Sequence, residues 1–156
     1  MNHESIYCTT HPAILQSYDA LQTDQYIIIR IRQTYHHFSK GSVLWHCTEG
    51  KDRCGLLCAV LLLALGTDRS AIMEDYLLTN RVNEPKAERY AQQMRAAGKS
   101  EMEAVAIRDI FLAKEAYLDA AFSAIDAQFS NTSAFLRDGL NLSEEMIDRF
   151  RSSVLE

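Results

Sequence analysis

Cys47 and Arg53 close a short polar stretch with Gly50 near its middle. Its flanks are of another kind. Ahead lies the apolar run Val43-Leu44-Trp45, followed by His46, and behind lies an apolar stretch reaching Leu65. A loop between a buried strand and a buried helix turns several backbone N–H groups into one concavity, here those of Thr48, Glu49, Gly50, Lys51, Asp52 and Arg53. The positive end of the helix dipole adds to them, which makes an anion cradle. Gly50 lets the backbone bend close to the anion with no side chain in the way. Arg53, on the first helical turn, can reach back and grip two phosphate oxygens with its planar fork.

Cys47 stands at the base of that cradle. A field that draws in phosphate also favours thiolate over thiol, so its pKa should fall from about 8.5 into the ~3.5–7.5 range. A thiolate beneath a bound phosphate is placed for in-line attack, giving a phosphocysteine that water later cleaves. The loop N–H groups and Arg53 would stabilise charge on the equatorial oxygens as the transition state forms. His46 would order the loop by hydrogen bonding from behind the nucleophile rather than act as a base. The chemistry calls for no metal or cofactor, because thiolate and guanidinium do what ions do in metallophosphatases.

The elements that must hold this loop are mostly helical. Residues 42 to 46 read as a short buried strand. Residues 53 to 65 read as a helix apolar nearly all round, stopped by Gly66. Thr67 or Asp68 caps a helix running to about Asn80, and another spans 84 to 97 before Gly98. Residues 102 to 129 read as one long helix, with Ile107, Phe111, Leu118, Phe122, Ile125 and Phe129 in a core-facing stripe. A helix over 131 to 138 ends at Gly139. Ser143 caps the last helix, with Glu144 and Glu145 in its positive first turn.

Upstream, residues 12 to 21 suit a short helix opened by Pro12. Residues 25 to 39 suit a longer one ended by Gly41, although the β-branched run Ile27, Ile28, Ile29 and Ile31 also permits a strand. The fold class is therefore α/β and predominantly helical, with a reduced or incomplete sheet and the anion loop between a central strand and a buried helix. Residues 1–156 read as a single domain.

Bulk properties narrow the function. A 156-residue chain with 47% hydrophobic and 24% charged residues has an ordinary globular composition. A formal net charge of -5 argues against a general nucleic-acid binder. The first eleven residues are polar and lack a secretory h-region. The longest apolar run, 55 to 66, is too short for a membrane span. A cytoplasmic location is expected. The four cysteines, at 8, 47, 54 and 58, form no CxxC pair and read as reduced thiols. Cys8 and His11, helped by His3 or the His36-His37 pair, fall short of the four ligands a structural zinc site needs. A polar N-terminal segment is the preferred reading there.

His46-Cys47-x-x-Gly50-x-x-Arg53 resembles the HCxxGxxR signature of the protein tyrosine phosphatase superfamily. The fuller string HCTEGKDRCG is similar to the HCxxGKDRTG loop of a bacterial tyrosine phosphatase family that includes phosphoinositide-active members. Leu61 to Gly66, Ile72 and Asp75-Tyr76-Leu77-Leu78-Thr79-Asn80 resemble that family's next helix and its DYLLTN segment. Phe135-Leu136-Arg137-Asp138-Gly139-Leu140 through Ser143-Glu144-Glu145 resemble its closing helices, so the likeness covers roughly residues 25 to 155.

The resemblance implies a cysteine-dependent phosphatase. Its substrates would be phosphorylated proteins, phosphotyrosine first, or phosphoinositides. It assigns Cys47 as nucleophile, Arg53 as phosphate holder and Asp52 as the matching candidate for general acid. The mobile-loop aspartate of many superfamily members would lie upstream, where Asp19 and Asp24 stand in no recognisable motif. Asp52 has a plainer role open to it, fixing Arg53 or Lys51 by an ion pair. Lys51 would add positive charge to the pocket rim and favour multiply charged substrates, unless it is an ordinary solvated lysine. Glu49 would repel extra phosphates.

Two departures from the family pattern matter. Cys54 stands where the family has Thr or Ser, whose hydroxyl would donate to the nucleophile's sulfur and help it leave. A thiol is a weaker donor, so turnover limited by phosphoenzyme hydrolysis is expected. Cys54 would also lie close enough to Cys47 to form a protective disulfide on oxidation, unless it is simply a small core thiol. Cys58, a turn further on, reads as core. The second departure is the strand-rich N-terminal half of relatives, for which only one strand is evident here. The chain would then be a fragment, or a homo-oligomer contact or the N-terminal residues would cover the exposed strand edges. The competing reading of function is a phosphate-binding pseudo-phosphatase or regulatory fragment with little turnover.

Overall fold

The computed structural model of the chain describes residues 5–7 and 43–155. The helices expected over 12–21 and 25–39, the Gly41 cap, Asp19, Asp24, and the candidate zinc ligands Cys8, His3, His11, His36 and His37 lie outside the described residues.

Helix α1 (Asp52–Leu65) is the axis of the core. Its sequence is apolar on nearly every face, so Leu56, Leu57, Ala59, Val60, Leu61, Leu63 and Ala64 can all be buried only if other helices surround it. Gly66 ends it in the left-handed conformation, φ 85°. The N–H of Gly66 bonds Leu63 O and that of Thr67 bonds Leu62 O, satisfying carbonyls the helix leaves open. Gly55 has a different reason to be glycine: a Cβ there would lie 2.6 Å from the Tyr76 ring.

Helices α2 (Arg69–Leu78) and α3 (Asn80–Ala96) follow with only Thr79 between them. Helix α3 begins at Asn80 rather than at 84, so Pro85 falls inside it. The early start is stabilised by tertiary contacts, since the Asn80 side chain bonds a distant loop and Asn83 is buried. Helix α4 (Glu101–Phe111) opens with a capping box in which Ser100 and Glu103 satisfy each other's backbone N–H groups. Helix α5 (Glu115–Gln128) supplies Leu118, Phe122 and Ile125 to the core.

The single helix expected over 102 to 129 is thus two. Leu112 and Lys114 are extended, with ψ 138° at both, and Leu112 and Ala113 are buried. Helical hydrogen bonds lost at this break are replaced by side chains from elsewhere in the chain. Asn80 accepts from Ala113 N at 2.7 Å and donates to Ala113 O at 2.9 Å. The stripe splits with the helix: Phe111 stacks on Tyr90 of α3 at 4.8 Å, while Leu118, Phe122 and Ile125 join the core cluster that holds the buried residues of α1.

Asn131 caps the short helix α6 (Thr132–Ala134), which widens into a π-helical turn, Phe135–Gly139. Phe135, Leu136, Leu140 and Leu142 are buried around it. Helix α7 (Glu144–Leu155) closes the core with Ile147 and Phe150, and the Ser143 hydroxyl accepts from Met146 N at 3.2 Å.

Strand β2 (Leu44–His46) pairs in parallel with β1 (Ser5–Tyr7), Ser5 opposite Leu44. The sequence pattern did not announce β1. Nor is β2 buried as expected: Leu44 is 66% exposed, and only Trp45, the alternate residue, packs against the core. A three-residue strand at the rim of a helical core turns one side chain inward and two outward. Among the described residues, no helix is long and apolar enough to cross a membrane.

Candidate active site

Residues 47 to 51 join β2 to the first turn of α1. Gly50 sits at φ 63°, and no atom lies within 4 Å of where its Cβ would be. Its requirement is therefore conformational rather than one of space, because left-handed backbone penalises any side chain. The turn it makes aims the amides inward. The backbone N–H groups of Cys54, Glu49 and Lys51 all donate to the Cys47 sulfur, and so does the Cys54 thiol. Amides that a helix start leaves without partners are here satisfied by a thiolate.

The sulfur is accordingly far more acidic than an ordinary thiol. The Cys54 thiol, first, and then the three amides lower the Cys47 pKa from 9.0 to about 4, against an opposing effect of burial. Cys54 moves the other way: donation to Cys47, burial and repulsion by the neighbouring thiolate push its pKa far up. One sulfur thus carries the charge and the other keeps the proton. Cys58 is raised chiefly by burial, although a hydrogen bond from Trp45 opposes that.

Lys51 departs from expectation. Its ammonium belongs neither to a pocket rim nor to solvent, since the residue is 3% exposed. The Nζ donates to Ile110 O at 2.8 Å and Leu112 O at 3.1 Å, the carbonyls released by the break between α4 and α5. It also lies 3.4 Å from an Asp52 carboxylate oxygen and over the Tyr117 ring at 5.7 Å. Sequence reasoning placed the lysine in the loop but could not see the helix break that receives it.

Glu49 is ion-paired as well. Lys86 Nζ, from α3, donates to its carboxylate at 2.5 Å and sits 4.7 Å over the Phe111 ring. The charge expected to repel extra phosphates is neutralised in place. No motif pointed to Lys86, because the pairing exists only where α3 crosses the loop. Asp52 lies in the first turn of α1, and its ion pair to Lys51 is the plainer of the two roles open to it. Arg53 follows on the same turn, half-buried, with His46 and Thr48 exposed on the strand end and loop. Among the described residues, no group of three or more His, Cys, Asp or Glu could hold a metal ion.

Comparison with known proteins converges on one group. The family model described as the tyrosine phosphatase family matches residues 7–156. A Cupriavidus necator protein, provisionally named a tyrosine-protein phosphatase, is 30% identical over 119 residues, covering 73% of this chain and 42% of its own. A Mycobacterium tuberculosis protein named as a triple specificity protein phosphatase is 31% identical over 121 residues, covering 72% of this chain and 44% of its own. A shorter match, 41% identical over 39 residues, is to a tyrosine-protein phosphatase of Nostoc commune, covering 25% of this chain and 13% of that protein. The chain spans less than half the length of these relatives.

Proposed function

The chain belongs to the tyrosine phosphatase family, and from that premise we propose that it hydrolyses phosphate monoesters, phosphotyrosine foremost, through a phosphocysteine intermediate. The observation that carries the proposal is the convergence of three amides and one thiol on the Cys47 sulfur, which holds it ionised far below neutral pH. A thiolate alone is only a nucleophile. A thiolate inside an anion-binding turn is a nucleophile aimed at an anionic substrate.

In the proposed reaction Arg53 holds two phosphate oxygens, and the loop amides of Thr48 to Arg53 take the developing equatorial charge. Cys47 attacks phosphorus in line. The P–O bond to the leaving group breaks as the P–S bond forms, and the leaving oxygen takes a proton. Asp52 is the candidate donor, being a carboxyl on the same turn as Arg53; to serve it must enter the step carrying a proton and turned away from Lys51. Water then attacks phosphorus, giving a proton to the Asp52 carboxylate left by the first step, and Cys47 leaves as thiolate, assisted by the hydrogen bond from Cys54. Because a thiol donates more weakly than a hydroxyl, this second step sets the rate.

The name of the Mycobacterium tuberculosis relative supports testing more than one substrate class. The decisive experiment measures phosphate release from phosphotyrosine, phosphoserine and phosphoinositide substrates, and from p-nitrophenyl phosphate. Release abolished by Cys47→Ser supports the proposal. Phosphate binding without release by the unaltered chain would favour a pseudo-phosphatase instead.

A further inference from the structure

We propose that Asn80 and Lys51 are positioning residues, joined through the break between α4 and α5 into one strut that holds the loop amides on the Cys47 sulfur. The inference rests on the assignment of Cys47 as nucleophile. Neither side chain has to touch a substrate to act.

The strut can be followed atom by atom. At its outer end, Asn80 takes both backbone groups of Ala113, accepting from N at 2.7 Å and donating to O at 2.9 Å. That pairing holds the chain extended where a helix would otherwise continue, with Leu112 and Lys114 both at ψ 138°. Extension leaves Ile110 O and Leu112 O without helical partners. Lys51 Nζ bonds both, at 2.8 and 3.1 Å. The backbone N–H of the same Lys51 is one of the amides aimed at the Cys47 sulfur. The side chain therefore anchors the residue whose amide does the work.

The energetics favour such a device. A lysine 3% exposed is stable only where its ammonium is fully bonded. Two carbonyls and the Asp52 carboxylate supply that bonding, so the loop cannot shift without uncovering a buried cation. The turn leading into it is the glycine at φ 63°, the least restrained residue type, so an outside brace has something to restrain. Asn80 lies 33 residues from its partner and Lys51 lies 59 and 61 from its two carbonyls, so only the folded core can assemble the strut.

The test reads Cys47 reactivity directly. In the full chain, the rate of Cys47 alkylation by iodoacetamide is followed against pH, resolved from Cys54 and Cys58 by peptide mass spectrometry, with kcat and KM for p-nitrophenyl phosphate measured in parallel. Asn80→Ala changes no charge, so any effect on Cys47 must be transmitted through geometry. It should raise the alkylation midpoint by about one pH unit and lower kcat several-fold at nearly unchanged KM. Lys51→Met should raise the midpoint further. Ser100→Ala, which removes the cap of α4, should lower the melting temperature and leave the midpoint where it is.

A folded Asn80→Ala protein with the unaltered midpoint and kcat overturns the proposal, even if Lys51→Met shifts both. Should Lys51→Met fail to fold, Asn80→Ala decides alone. If the unaltered chain releases no p-nitrophenol, the functional reading fails, and the alkylation midpoints still decide for or against the strut.

Discussion

The loop end of α1 and the α3–α4 hairpin are both built on charged side chains, and they use them in opposite ways. In the hairpin, Arg95 reaches Glu88 on its own helix and Glu101 at the start of α4, and Arg108 of α4 reaches Glu84 and Glu88 of α3, all near the surface. Such pairs trade a hydrated charge for a screened one and contribute little. At the loop, Lys51 is out of water altogether, and each of its bonds replaces a hydration site that is gone. Depth, rather than the number of ion pairs, decides which charges hold the molecule to one geometry. The hairpin can lose a pair and keep its shape, because Tyr90 on Phe111 and the α4 capping box remain.

The sharpest way to break this contrast is to titrate the loop. Cys47 has its pKa depressed in the folded chain, so thiolate should persist down to about pH 4, and alkylation should fall only below that. The unfolded chain should show the midpoint of a free thiol, about 8.5. Between those values the unfolded chain binds a proton that the folded one does not, so stability rises with pH across the window. Replacing Cys47 by Ala should flatten that slope in pH-dependent denaturation, and a slope left unchanged would count against the thiolate.

Next in size, Arg53→Ala should lower kcat/KM by about 10^3-fold, the scale of losing a charge-stabilising donor to a transition state. Steady-state kinetics on p-nitrophenyl phosphate would show it. Lys51→Met leaves the buried Leu112 carbonyl and the part-buried Ile110 carbonyl unbonded and should cost about 1–3 kcal/mol in urea unfolding. Cys54→Thr should speed steady-state turnover several-fold by giving the sulfur a better donor; a burst of p-nitrophenol that vanishes in this variant would locate the gain in phosphoenzyme hydrolysis. Smallest of all, Glu84→Gln on the hairpin should change stability by about 0.2–1 kcal/mol and leave kcat untouched. A loss there as large as that at Lys51 would erase the distinction between the two regions.

Much of this was legible in the residues themselves. The pattern of Cys47, Gly50 and Arg53 between an apolar run and an apolar helix reads as a tight turn joining a strand to a helix, which is what residues 47 to 51 form with Gly50 at φ 63°, because local backbone conformation depends on near neighbours. Gly66, Gly98 and Ser143 mark helix ends for the same local reason. Periodicity identified the core face of α5 correctly but ran through residues 112 to 114, since nothing in the local pattern opposes a helix there. Strand β1 is three residues long and leaves no pattern to read.

What only the tertiary structure decided are the partners. The destination of the Lys51 ammonium, the neutralisation of Glu49 by Lys86, and the break that Asn80 stabilises all join residues 33 to 61 apart. Local sequence specifies which groups can bond and how the nearby backbone turns. Which of them meet is settled by packing helices around α1, because burying one apolar axis brings together polar groups that the chain order keeps far apart.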